Sequence, residues 1–272
     1  MKELIKRKLD LYQSNEEKYS QLREYLQWLI LRILEIKKNY TNIAFVGGTA
    51  LRILYGLNRF SEDLDFSLIN KNGYDFSQLL HELQFELNNY GLNPIITLKQ
   101  DQDKIVNNSF IKFPDILYEF GLSSNKNQNL SIKLEIDTNP PAGYDLIFTP
   151  VNLHFLLNIR HFDLPSLFAG KLHALMCRPY CKGRDYYDLL WFISKKITPN
   201  YEQLSNAYFQ TEHKRVEFDR LTIINILKER INSVNIENLQ KDLLPFIIES
   251  TELSFFNKES LLGTIEHIDR RL

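Results

Sequence analysis

Residues 42–68, NIAFVGGTALRILYGLNRFSEDLDFSL, join an apolar run, a glycine pair and two aspartates one residue apart, a combination that few folds accommodate. Ile43, Ala44, Phe45 and Val46 read as a buried strand. It stops at Gly47, Gly48 and Thr49, where glycines permit backbone geometries that a Cβ resists. A helix is expected next, because Leu51, Leu54 and Tyr55 recur at helical spacing and Gly56 and Asn58 act as stop signals. Then Leu64, Phe66 and Leu68 alternate with Asp63, Asp65 and Ser67, so a strand puts both carboxylates on one face. Two carboxylates on a rigid strand suit a hard cation such as Mg²⁺ (or Mn²⁺), which takes the rest of its oxygen ligands from waters and substrate phosphates. A glycine turn that opens a helix is a seat for those phosphates, since free N–H groups and the helix dipole point at them. Gly47 and Gly48 are the candidate phosphate contacts, with the Thr49 hydroxyl as an added donor.

The chain on either side reads as mixed α and β. Ser14 and Glu17 form a capping-box pattern ahead of Leu22, Tyr25, Leu26, Leu29, Ile30, Ile33 and Leu34, predicting a long helix beneath the aspartate strand. A second helix is expected from Asp75 to Asn89. Residues 95–150 read as strands, including Ile95 to Leu98, Phe110 to Phe113 and Ser131 to Asp137, with Ser123 to Asn129 as a hairpin loop. In the last run Lys133, Glu135 and Asp137 alternate with Ile132, Leu134 and Ile136, again placing acids on one face. From Asp163 and Pro165 the pattern turns helical, with a helix to about Pro179, another from about Asp185, and three or four more over residues 200–272. The division therefore falls near residue 160.

Two blocks carry a resemblance. Gly-Gly-Thr, a short helix and Arg59-x-Ser61-x-Asp63-x-Asp65 resemble the signature of DNA polymerase beta-like nucleotidyltransferases, in the form found in AbiEii/MenT toxins. Phe168-Ala-Gly-Lys171-Leu-His-Ala-Leu and Lys182-Gly-Arg184-Asp185-Tyr-Tyr-Asp188-Leu resemble the downstream motifs of that branch, in the same order. The resemblance implies an α+β fold: a polymerase-beta-like core, a mixed sheet flanked by helices, over residues 1–160. A mainly helical lobe over 161–272 would bring Lys171 and Asp185 to the active-site cleft. It implies transfer of a nucleoside monophosphate from an NTP to RNA, with the 3′ end of tRNA as the expected acceptor, by a cytoplasmic toxin paired with an antitoxin in an abortive-infection system. It also implies a third metal carboxylate from a neighbouring strand, Glu135 or, at the strand end, Asp137.

The remaining site candidates each have a structural alternative. Ser61 caps the turn before the strand or touches nucleotide, and Arg59 pairs with an acid or a phosphate. Lys171 is a phosphate-neutralising cation or a snorkelling side chain. Asp185 orients the lysine or the acceptor, or is merely a helix cap. Asp188 lies one turn on and can share its face. Arg184 fixes Asp185 or binds phosphate. His173, Cys177 and Cys181 lack a fourth ligand at zinc spacing.

Charge narrows the acceptor question only locally. Lys plus Arg (33) nearly cancels Asp plus Glu (34), so nucleic-acid contact must come from patches such as Lys2-Lys6-Arg7-Lys8, Lys37-Lys38 or Arg178-Lys182-Arg184. Two cysteines do not make a disulfide framework, and no apolar run predicts a signal peptide or a membrane span.

Overall fold

The computed structural model describes residues 1–97 and 105–271, with side chains to residue 266; the expected strand end at Leu98 lies outside these residues. In chain order the regular elements are α1 (Lys2–Leu9), α2 (Asn15–Ile36), β1 (Ile43–Val46), α3 (Gly47–Tyr55), β2 (Leu64–Leu68), α4 (Phe76–Asn89), β3 (Ile95–Ile96), β4 (Val106–Phe113), α5 (Ile116–Glu119), β5 (Leu130–Asp137), β6 (Leu146–Asn152), β7 (Leu156–Phe162), α6 (Leu164–Cys177), α7 (Gly183–Ser194), α8 (Tyr201–Glu212), α9 (Arg220–Ser233), α10 (Ile236–Leu243) and α11 (Lys258–Arg271). They form two compact units. The first comprises Met1–Leu54, Phe60–Pro140 and Phe148–His161; the second comprises Tyr55–Arg59, Pro141–Ile147 and Phe162–Leu272.

A mixed seven-stranded sheet, ordered β3-β4-β5-β2-β1-β7-β6, builds the first unit. β2 lies antiparallel to β1 and parallel to β5, so the aspartate strand is central, with neighbours on both sides. Leu64 and Phe66 of β2 and Ile132, Leu134 and Ile136 of β5 share one core with Leu26, Leu29, Ile30 and Ile33 of α2. Period-2 and period-3.6 stripes thus meet on the face opposite the acids. α2 begins where its cap predicts: Ser14 Oγ accepts the Glu17 N–H at 3.1 Å.

The helix also carries buried polar groups, and these have work to do. The Gln27 amide donates to the carbonyls of Ser61 and Glu62 at 3.1 and 3.0 Å, fixing the segment that leads into Asp63. Glu24 pairs with Arg52 on α3. A single helix therefore anchors both the segment after the glycine turn and the segment before the aspartates.

In the second unit Asp163 caps α6, its Oδ1 accepting from the Ser166 N–H at 3.0 Å, with Pro165 in the first turn. Phe168 of α6 stacks on Phe192 of α7 with ring centres 4.3 Å apart. Gly183 opens α7 where a Cβ would lie 2.0 Å from the Leu239 carbonyl oxygen, so α7 and α10 approach only with glycine there.

Several elements differ from the sequence expectation. α1 forms because Ile5 and Leu9 are four apart and bury together, while Lys6 and Arg7 face outward. Strand β6 contains Pro150, which obscures a period-2 pattern; it is tolerated because β6 is the sheet edge. Among the described residues no helix is long and apolar enough to cross a membrane.

Candidate active site

In the first unit the acids gather where β1 ends. The register pairs Val46 with Asp65, so the next residue, Gly47, opens α3 against the Asp65 side chain. Gly47 has φ +81°, and a Cβ there would sit 2.2 Å from Asp65 Oδ2. Backbone strain and this contact both demand glycine. Gly47→Ala is expected to cost roughly 1–3 kcal/mol and to displace the Asp65 carboxylate, lowering turnover more than it lowers stability; parallel urea melts and activity assays check this.

Asp63 and Asp65 are both half-buried, and the parallel pairing of β2 with β5 sets Glu135 beside Asp65 and Asp137 beside Ser67. Of the two candidate third acids, Glu135 is the direct neighbour of an aspartate. Asp137 sits further along, where burial pushes its carboxyl above the usual range despite a hydrogen bond from the Asn139 N–H at 2.9 Å. Glu135 is not idle: the Lys133 ammonium lies 2.8 Å from its Oε1. Burial lowers the Lys133 pKa, but the hydrogen bond and charge of Glu135, with the charges of Asp63 and Asp65, more than offset it and hold it above normal. Lys133 therefore belongs to the acid face. The signal was available, because Lys133 alternates in phase with Glu135.

The donor set is all oxygen and suits a hard divalent ion. Among the described residues no three His, Cys, Asp or Glu side chains converge to enclose a metal. Asp63 and Asp65 would supply two ligands, with water and phosphate oxygens supplying the rest, as is usual for Mg²⁺.

Thr49 has a partner of its own. It is fully buried, and its hydroxyl donates to the Asp63 carbonyl, so its proton is spent on holding the strand entry. Ser61 is half-buried, and its carbonyl is held by Gln27. Glu62 pairs with Arg23 at 2.8 Å.

The second unit contains a string of alternating charges. Arg59 grips Asp188 with two parallel bonds of 2.7 Å, and the side chains are only 2% and 0% exposed. Such a fork-on-fork pair is the strongest geometry open to arginine. Asp188 also takes Lys171 at 2.8 Å; Lys171 reaches Asp185 at 3.4 Å, and Asp185 is met by Arg178. Burial raises the Asp188 pKa, but Arg59 and then Lys171 outweigh it and hold the carboxyl below the usual range. Asp185 and Asp188, three apart on α7, thus share the face that holds Lys171.

This geometry decides between several alternatives. Arg59 is a buried partner of Asp188. Asp185 is the third residue of α7, whose cap position is Lys182, so it is not the N-cap. Arg178 meets Asp185, and Arg184 lies over the Phe246 ring at 4.1 Å. Only tertiary structure reveals the Arg178 partnership, since Arg178 lies beyond the end of α6. His173 bonds Thr211 at 2.8 Å, and burial pushes the Cys177 thiol up to about 11, unlike a metal thiolate. Two of the basic clusters are partly neutralised, with Lys2 on Glu119 at 2.7 Å and Lys37 on Glu86 at 2.6 Å.

Comparison with known structures supports the fold. The crystal structure of JHP933 from Helicobacter pylori aligns with TM-score 0.52 at 19% identity, covering 93% of this chain and 94% of that one. Another H. pylori crystal structure, of a protein named as a candidate nucleotidyltransferase, aligns with TM-score 0.54 at 21% identity over 92% and 94%. The curated proteins contain no match. The sequence itself matches the family described as "Nucleotidyl transferase AbiEii toxin, Type IV TA system" over residues 29–261. A chain with this glycine turn, aspartate strand and mixed sheet therefore belongs to the AbiEii family of nucleotidyltransferase toxins.

Proposed function

We propose that this nucleotidyltransferase moves a nucleoside monophosphate from an NTP to an RNA 3′ hydroxyl, that of tRNA, in a metal-dependent reaction, as the toxin of a pair whose antitoxin is encoded separately. The observation that carries the reaction class is the half-buried Asp63 and Asp65 pair beside the start of α3, with Asp65 against Gly47. A divalent ion bound there would neutralise phosphate charge and help ionise the attacking hydroxyl. The chain's own groups do the rest. Gly47 and Gly48 offer N–H groups at a helix start to the phosphates. Ser61 lies beside the nucleotide position. In the helical unit Lys171 serves as a phosphate-neutralising cation, and Asp185 and Asp188 fix its direction. That is a positioning role built on the observed bonds of 3.4 and 2.8 Å.

Support for RNA as acceptor comes from the loop after α6. Tyr180 is 58% exposed, with Arg178 and Lys182 over its ring at 5.4 and 5.7 Å. An exposed aromatic ring flanked by cations is a stacking platform for an unpaired base.

The test incubates the protein with Mg²⁺, total RNA and each α-³²P-labelled NTP in turn. Label is expected in tRNA-sized RNA, to be lost with EDTA and blocked when periodate first destroys the RNA 3′ diol. Tyr180→Ala is expected to weaken RNA binding roughly tenfold, in keeping with about 1–3 kcal/mol per stacked base. Label in protein, or label insensitive to periodate, would refute the RNA 3′ end as acceptor.

A further inference from the structure

We propose that Arg178 is an acceptor-positioning residue: its guanidinium bonds the Asp185 carboxylate and lies against the Tyr180 ring, and so sets an unpaired 3′-terminal base stacked on that ring in a fixed place relative to Lys171. This rests on the RNA reading above and uses contacts within the second unit. Arg178 Nη1 donates to Asp185 Oδ2, while the Lys171 ammonium lies 3.4 Å from the other oxygen, Oδ1. The same guanidinium is 5.4 Å from the centre of the Tyr180 ring. Direct contacts therefore run from ring to guanidinium, carboxylate and ammonium. Exposure rises outward from the carboxylate, with the Asp185 side chain at 8%, that of Arg178 at 28% and Tyr180 at 58%. One arginine thus ties a buried acid to a solvent-facing ring.

The loop that carries both residues is held at each end. At its start Arg230 of α9 donates to the Met176 carbonyl and, at 3.5 Å, to the Arg178 carbonyl. At its end Gly183 approaches the Leu239 carbonyl of α10 too closely for a Cβ. α9 and α10 therefore support the loop, which gives the helices beyond residue 200 a part in placing the acceptor. A planar guanidinium suits the tie, because it can bond a carboxylate with its edge and stack on a ring with its face, whereas an ammonium is a point charge. Lys182, 5.7 Å from the same ring, adds positive charge beside it. An arginine that merely attracted RNA phosphate would act through its charge, and lysine would replace it. One that only joined α6 to α7 would serve paired and unpaired RNA alike.

The experiment measures binding of bulk tRNA carrying a 5′ fluorescein by anisotropy, beside a labelled blunt duplex RNA that has no unpaired end. It compares wild type with Arg178→Met, Arg178→Lys, Tyr180→Ala and the double variant Arg178→Met with Tyr180→Ala, each checked for folding by its thermal melt. Arg178→Met and Tyr180→Ala are each expected to weaken tRNA binding about tenfold, and the double variant to be no weaker than about twofold below either, because ring and tie act as one unit. Arg178→Lys should stay close to Arg178→Met. Binding of the blunt duplex should change by no more than about twofold in any variant, since it offers no base to stack. Unchanged tRNA binding in Arg178→Met, full recovery by lysine, an equal loss for the blunt duplex, or a double variant weakened about a hundredfold, as independent sites would give, would each overturn the assignment to Arg178. Wild type that binds tRNA no better than the blunt duplex would instead overturn the RNA reading on which it rests.

Discussion

Asp188→Ala should destabilise the protein by about 3–5 kcal/mol in urea denaturation, a large share of the total stability of a typical domain. The cause is not a lost contact in the ordinary sense. Arg59 is only 2% exposed, and removal of Asp188 strands its guanidinium away from water without its bidentate partner. Lys171 would lose its shorter bond as well and keep the longer one, to Asp185. Replacing the pair together, as Arg59→Met with Asp188→Leu, is expected to recover most of the loss, because the desolvation cost of both charges disappears. A double variant as unstable as Asp188→Ala would contradict this account of the pair. The pH dependence has a definite sign. The folded carboxyl of Asp188 lies below its unfolded value of about 3.9, so its contribution is complete above that pH. It is lost as pH falls through the lower folded value. Acid unfolding should thus be shallower in the double variant than in wild type.

Asp65→Asn is expected to behave in the opposite way, with stability nearly intact and turnover reduced roughly 10³-fold or more. That corresponds to about 4 kcal/mol of transition-state stabilisation. The substitution preserves shape against Gly47, which tolerates little change there. Asp65 is half-buried, so loss of its charge should barely alter folding. Asp63→Asn should match it in activity. Melts that fall together with activity would show the aspartates to be structural.

Legibility in the sequence followed the range of the interactions. The strand, turn, helix and aspartate strand over 42–68 were readable because every signal is local: alternation, helical spacing and glycines. The long α2 was readable for the same reason, yet its Glu24 and Gln27 were not, since their partners lie on α3 and at the entry to β2. Thr49 shows the limit most clearly. A hydroxyl at the mouth of a glycine turn suggests a donor to phosphate, and only the packed structure shows that it serves the Asp63 carbonyl. The same holds for Arg59, whose partner is 129 residues away, and for Arg178, whose loop must fold back before it meets Asp185. Lys133 was visible in the alternation of β5, but its importance depends on the parallel register with β2, which alternation does not specify.

The most direct measurement follows the two ends of the triphosphate separately, using NTP labelled at the α- or the γ-phosphorus, wild type beside Asp63→Asn and Asp65→Asn, and RNA as acceptor. The account predicts that the α-label enters RNA while the γ-label leaves as pyrophosphate, and that both events disappear in either variant. Transfer of the γ-label to the acceptor, or α-label transfer that survives both substitutions, would contradict it.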